Sequence, residues 1–410
     1  VVAGMDKGIK RLSILNMVLA ASLCGCDSNG GAVGVDREGF NFSSAQGNFI
    51  TTTVQVENRF FYILNRTDNN VSGLYAVTGE EGHDHTHGRI MAQEDDHDHD
   101  HEGEEHEDEG LELESLDGSP YLFGAANLVD LGVESSGRYF FILDSSGNLS
   151  SYEIDGIRGF LNLKSTIPTG VANPRRIAVS PDGRGVGVLG DSVSIHGVSS
   201  DGVLDASGST QANTQGWVDL DLNGVNGVAT TSTGAVGFQW IPGSQLFPQF
   251  NVTLPGGSRG EAIYVGGHIY VVNQGAASVS QLTQSGNSEI TLEQTFALPA
   301  ELTAPVQIES IEDGEELVVA DADSLSRLVI EPNELHEEVT VPITRVPNRL
   351  FAVPESEVLL VGHSTGEGTT QVILHEGELE IMDEPGPGGQ GAFGFGFAER
   401  SGTITQTVNL

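Results

Sequence analysis

The stretch Ile177-Ala178-Val179-Ser180-Pro181-Asp182-Gly183-Arg184-Gly185-Val186-Gly187-Val188-Leu189 decides how this chain is read. An apolar segment runs into Ser-Pro-Asp-Gly, and a second apolar segment runs out. Pro181 presets φ at the second turn position, and Gly183 accepts a positive φ that a side chain would resist. The stretch reads as a β-hairpin. The same design recurs at 54–64, 133–143, 227–240, 262–272, 308–319 and 351–361. Successive hairpins start 79, 44, 50, 35, 46 and 43 residues apart. The long first interval contains a charged tract of 36 residues, 79–114, and without it the interval falls to 43. The tract is therefore expected to be an insertion in a regular array.

Each hairpin is followed by a third alternating segment, as at 71–77, 149–154, 192–198, 245–252, 279–284, 325–331 and 370–375. Fourth strands fit at 290–298 and 337–344. Units of four short antiparallel strands recurring every 40–50 residues are the signature of a β-propeller. The expected fold is all-β: a seven-bladed β-propeller of four-stranded antiparallel blades over 40–410, with 79–114 as a disordered His- and acid-rich loop after the first three strands. The final segment, 403–410, is expected to pair near 49–54 and close the ring. A pair of β-sandwiches, the rival architecture, gives no reason for the restored spacing.

Composition excludes some functions. The chain has 410 residues, 18 Lys and Arg against 58 Asp and Glu, and a formal charge of -40. Such a polyanion repels nucleic acid and has no basic stripe to release counterions. The N-terminal region reads as an address. Lys7, Lys10 and Arg11 precede the apolar run 12–23, which is too short for a stop-transfer helix. The run ends Leu23-Cys24-Gly25-Cys26, which resembles a bacterial lipoprotein lipobox. That resemblance implies a signal peptide over 1–25, lipidation at Cys26, a flexible tether over 26–39, and a lipid-anchored protein of the cell envelope facing the periplasm or exterior.

The tract 79–114 carries the distinctive chemistry. It holds 16 Asp and Glu, one Arg, and seven of the chain's 12 His: His83, His85, His87, His97, His99, His101 and His106. In an extended chain, alternate residues project from one side, so His-x-His-x-His offers several imidazoles to one ion. Imidazole suits zinc, copper and nickel, and the interleaved carboxylates add charge and oxygen ligands. Solvated acidic runs that bind nothing are the competing reading. Topology places the tract in the third-to-fourth-strand connection of blade 1. His375, and with it His336, then follow third strands on the same face, and His375 is the candidate to share the metal. His196 reads as structural, His268 as part of a first-to-second-strand turn, and His363 as lying on the opposite face.

The Ser-Pro-Asp-Gly hairpin resembles seven-bladed propellers of the surface-layer and lactonase-like kind. The His tract after the first hairpin unit resembles that of periplasmic β-propeller zinc metallochaperones. That second resemblance implies zinc binding and delivery to a periplasmic metal-binding or transport protein. A protein-interaction platform and a lactonase-like hydrolase are the alternatives; the hydrolase needs an acidic cluster at the central channel, and none can be assigned from the pattern. Binding is thus favoured over catalysis. Weaker motifs are discounted. Gly256-Gly257-Ser258-Arg259-Gly260 lacks the strand-turn-helix context of a nucleophile elbow. Gly185-Val186-Gly187-Val188-Leu189-Gly190 sits in a hairpin with no helix to receive a pyrophosphate. Asp219/Asp221 and Asp321/Asp323 lack calcium-loop spacing.

Overall fold

The computed structural model describes residues 40–409 apart from 44–48, 77–112, 125–126, 213–215, 242–245, 258–259, 287–288, 312–313, 332–333, 355, 364, 367, 376 and 383–385. The proposed signal, Cys26, the tether and all seven His of the tract lie outside the described residues. Contacts divide the chain into two units, 57–402 and the pair 1–56 with 403–410. In the smaller unit, β1 (Phe40–Ser43) pairs antiparallel with the first part of β2 (Phe49–Asn65), Phe40 opposite Val54.

The larger unit is a seven-bladed propeller. Six blades are four-stranded meanders read outward from the axis. They are β5 (Leu128–Val133), β6 (Tyr139–Asp144), β7 (Asn148–Ile154) and β8 (Leu161–Pro168); β9 (Arg176–Val179), β10 (Gly185–Leu189), β11 (Ser192–Gly197) and β12 (Ser209–Ala212); β13 (Asp219–Asn223), β14 (Asn226–Thr230), β15 (Gly234–Gln239) and β16 (Phe247–Thr253); β17 (Ala262–Val265), β18 (His268–Asn273), β19 (Ser278–Gln284) and β20 (Ile290–Ala297); β21 (Gln307–Ile311), β22 (Glu316–Ala320), β23 (Ser324–Ile330) and β24 (Leu335–Pro342); and β25 (Pro347–Ala352), β26 (Val358–His363), β27 (Thr370–His375) and β28 (Glu378–Ile381). Blade 1 joins both ends of the ring: β29 (Ala392–Asn409) pairs with β2, followed outward by β3 (Asn70–Ala76) and β4 (Leu113–Ser115).

The deciding hairpin forms as read. Ile177 lies opposite Val188 across β9 and β10. The Gly183 amide donates to Ser180 O at 2.8 Å, and Gly183 has φ +68°. The glycines after the turn serve packing: a Cβ on Gly185 would collide with the Trp240 ring. Three expectations are corrected. Residues 54–64 are no hairpin but part of one continuous strand, β2, and the turn comes at 66–69. Residues 227–240 span the second and third strands of blade 4, so the segment expected to be its third strand falls on the fourth, β16; the first strand is β13. His268 is the first residue of β18, opposite Val265, and not part of the turn.

Seven apolar clusters hold the ring, each spanning one pair of neighbouring blades. The second strand of each blade is covered on both faces, and its residues alternate between two neighbours. In β2, Phe60, Tyr62 and Leu64 pack toward blade 2, while Phe61 and Ile63 pack toward blade 7. In β6, Phe140 and Ile142 face blade 1, and Phe141 and Leu143 face blade 3. This double coverage explains the unbroken apolar runs Phe60–Leu64 and Tyr139–Leu143. Each such side chain contributes about 1.5–3 kcal/mol by leaving water.

The ring closes through β2 and β29, with Arg59 facing Glu399 and the Arg66 amide donating to Gly391 O at 2.9 Å. The turn after β2 reaches back to the glycine-rich approach to β29. Asn65 Oδ1 accepts from the Gly389 amide at 2.6 Å, and Asp68 Oδ2 from the Gln390 amide at 2.8 Å. Phe141, fully buried between blades 2 and 3, tests the two-faced packing. Phe141→Ala should cost about 3–5 kcal/mol in urea unfolding. It should couple energetically to Val186→Ala in its own cluster and add independently to Phe61→Ala, which belongs to the blade 1/7 cluster.

Candidate functional site

The innermost strand of a blade is hydrogen-bonded on its outer side only. Its inner-edge amides need other partners. Acidic side chains of the preceding blade supply them. Asp130 on β5 accepts from the Ile177 amide of β9 at 2.8 Å. Asp219 on β13 accepts from the Ala262 amide of β17 at 3.1 Å, and Asp221 from the Tyr264 amide at 3.3 Å. Glu261, just before β17, accepts from the Ile308 amide of β21 at 3.4 Å. With Glu309 on β21, five carboxyl groups meet along the channel wall.

Three guanidiniums share this wall. Arg176 of blade 3 places Nε 2.9 Å from Asp219 Oδ1 and pairs through Nη2 with Glu261 of blade 5. Arg349 of blade 7 comes within 3.6 Å of the same Glu261 oxygen. Gln307, its amide turned to suit both neighbours, donates to Glu261 Oε2 at 3.0 Å and to Asn348 O at 3.3 Å. Arg66 donates to Val129 O at 2.8 Å and lies 3.8 Å over the Phe393 ring. Glu261 is thus the hub of a charged bar linking blades 3, 5 and 7. Most of these groups stand at the beginnings of the innermost strands, toward the face of the second-to-third-strand connections. The acidic cluster that could not be assigned from the sequence pattern is present at the channel.

Ionisation follows from the surroundings. Burial, helped by the negative charge of Glu261, pushes Glu309 up to about 8. Burial pushes Asp221 up to about 7, with Asp219 and Glu261 adding to it. Both keep some water-accessible surface while lying deep among protein atoms. Burial also raises Glu261, although Arg176 and Arg349 oppose it. For Arg176, burial works against the charge, but Asp219, Glu261 and Asp130 outweigh it and the pKa rises. Among the described residues, no group of three His, Cys, Asp or Glu is arranged to hold a metal ion. The channel is a lattice of carboxylates spent on amides and guanidiniums.

The histidines separate by face. Ala76, ending β3, is the register partner of Leu113, beginning β4, so the connection that contains the tract leaves and re-enters at one point of blade 1. His375 ends β27 and lies opposite Glu378 of β28. That hairpin is the third-to-fourth-strand connection of blade 7, which shares a core cluster with blade 1. His336 lies on β24 opposite Val329 and is exposed. The other three are engaged. His363 is buried at the opposite face, with its ring nitrogens 3.1 Å from Val346 O and 2.8 Å from Thr370 Oγ1, and burial drives its pKa down to about 4. His196 bonds Ser194 Oγ and Asp205 O, both at 2.8 Å, and burial lowers its pKa as well. His268 Nδ1 lies 3.2 Å from Glu293 Oε2. On the face of the tract's connection, blades 2–4 leave an open depression of about 860 Å³, lined by Arg138, Tyr139, Arg184, Ser199, Asp205 and Trp240 among others.

No protein-family model matches the chain, and no curated protein matches it. Solved structures do. A putative 6-phosphogluconolactonase from Bacteroides uniformis matches at 16% identity over 86% of this chain and 99% of that one, with a TM-score of 0.62. The periplasmic gluconolactonase of Pseudomonas aeruginosa matches at 17% identity over 85% and 99%, with a TM-score of 0.60. Apo AztD from Citrobacter koseri matches at 11% identity over 85% and 100%, with a TM-score of 0.49. At these identities the lactonases share the fold. The chain is a seven-bladed β-propeller with lactonase-type propellers among its structural neighbours.

Glu261 is the group on which the channel lattice turns. Glu261→Gln removes the carboxylate that Arg176 and Arg349 share, leaves Arg176 with Asp219, and should destabilise the propeller by about 3–5 kcal/mol in urea unfolding. Glu309→Gln removes a carboxyl that is hard to ionise in place and should cost far less. Equal losses in the two variants would contradict the assignment of Glu261 as the hub.

Proposed function

We propose that this chain is a lipid-anchored β-propeller of the bacterial cell envelope, tethered through Cys26, that captures divalent metal and passes it to a metal-binding or transport protein. Zinc is the first candidate, with copper and nickel as the other ions that suit imidazole. The ligands are drawn from His83, His85, His87, His97, His99, His101 and His106, with His375 as a contributor from the ring. The observation that carries this reading is the tract itself: seven His at mostly alternate spacing among 15 carboxylates, between two paired strands of one blade.

The chemistry suits capture. A dication relieves the mutual repulsion of the carboxylates while imidazole nitrogens bind it. A low-complexity segment that has to order around its ion pays entropy on binding, and this favours exchange over permanent retention. His375 enters because the hairpin that bears it opens on the face of the tract's connection, in the adjoining blade. The engaged carboxylates of the channel, each with an amide or guanidinium partner at Asp130, Asp219 and Glu261, favour binding over hydrolysis.

Calorimetric titration with zinc tests the reading on the full chain, a variant lacking 83–106, and a variant with the seven tract His changed to Asn. High-affinity binding is expected in the first and lost in the other two. Affinity should fall steeply below about pH 6.5 as the imidazoles protonate. His375→Ala should weaken binding by about tenfold if it supplies one ligand, in keeping with the loss of a supporting group at a metal site. Unchanged affinity after deletion of 83–106 would end the proposal.

A further inference from the structure

The channel wall brings together charges that do not balance. Three guanidiniums, Arg66, Arg176 and Arg349, face five carboxyl groups. Asp219 and Glu261 are paired with arginine directly, and Asp130 lies in the fields of Arg66 and Arg176. Among the described residues, that leaves Asp221 on β13 and Glu309 on β21 without an ion pair, and the one guanidinium near Glu309, Arg349, is already held by Glu261. Asp221 is surrounded by Asp219 on its own strand, by Glu261 and Tyr264 of blade 5, and by Glu309 of blade 6. Glu309 faces Glu261 of blade 5, Arg349 of blade 7 and Asp221 of blade 4. These two groups occupy blades 4 and 6, between the blades 3, 5 and 7 that the Arg176–Glu261–Arg349 bar connects.

We propose that this wall is a pH-responsive clasp, in which protons on Asp221 and Glu309 keep its charge matched and their loss places two surplus negative charges at the inner seam of blades 4, 5 and 6. With both protonated, three carboxylates meet three guanidiniums. With both ionised, the surplus lies beside Glu261 and Asp219, the groups that hold the Ile308 and Ala262 amides. The seam is where opening would begin. Loss of the Asp221 proton also changes the acceptor that faces the amides of Leu222 and Tyr264, which donate to Asp221 at 2.8 and 3.3 Å. The clasp involves none of the tract residues and stands or falls apart from metal binding.

The direction of the effect is set by linkage. Both groups hold their protons more tightly in the folded ring than in the unfolded chain. Their contribution to stability is whole below about pH 4, the range of free carboxyls, and is lost progressively as pH rises to about 8. The test compares thermal unfolding of the full chain with Asp221→Asn, Glu309→Gln and the double variant from pH 5 to 9. The wild-type midpoint should fall relative to the double variant by about 2 °C or more between pH 5 and 8, then run parallel. Each single variant should remove part of that difference. Infrared spectra of the wild type give an answer that needs no variant: a protonated-carboxyl band present at pH 6 should vanish by pH 9. Parallel unfolding curves throughout, or no such band at pH 6, would overturn the proposal.

Discussion

The ring depends on how its innermost strands are finished. A propeller blade leaves one strand edge facing the central channel, and an edge of unpaired amides buried from bulk water is costly. Here the preceding blade provides the acceptor. Asp130 serves the amide of Ile177, Asp219 that of Ala262, Asp221 that of Tyr264, and Glu261 that of Ile308. The same contact satisfies an amide and joins two blades. It also brings carboxylates to the axis, and the arginines of the wall answer that concentration of negative charge. Arg176 and Arg349 converge on Glu261 because a buried carboxylate needs nearby positive charge. The channel chemistry is a consequence of edge termination.

Apolar packing supplies the other half of the architecture. Alternation along each second strand sends neighbouring residues to opposite blades, so Phe60 and Phe61 belong to different clusters although they are adjacent in the chain. A ring built this way has no single core. It has seven, and each depends on its two neighbours. Closure therefore matters to all of them, and Asn65 and Asp68 hold the glycine-rich approach to β29 across more than 300 positions of sequence.

The overall charge of -40 conceals a division of labour. The tract concentrates negative charge with imidazole, in a segment joined to the ring at one point of blade 1. The channel concentrates it with guanidinium. Of only 18 basic residues, Arg66, Arg176 and Arg349 are committed to the axis. Carboxylates of one protein thus stand in two settings: interleaved with imidazole in the sequence of the tract, and paired with guanidinium at the axis.

The blade count, the strand type and the deciding turn were legible in the sequence, because alternation and turn residues act locally. Ser180-Pro181-Asp182-Gly183 has its turn chemistry within four residues, and the His spacing of the tract is visible without any fold. Assignments that depend on which strand lies innermost were not legible. In blade 4, the pairs β13–β14 and β14–β15 are both apolar segments about a tight turn, so local pattern alone favoured the wrong one and left Asp219 and Asp221 off the axis. In blade 1, residues 54–64 read as a hairpin, yet β2 runs through them unbroken and pairs with β29 from the far end of the chain. The channel cluster gathers residues from 66 to 349, and its partners are chosen by ring geometry. The sequence by itself determined the repeating unit and the His- and acid-rich composition of the tract. Only the tertiary structure decided which carboxylates meet at the axis, because a partner across a ring lies dozens or hundreds of residues away and leaves no local pattern.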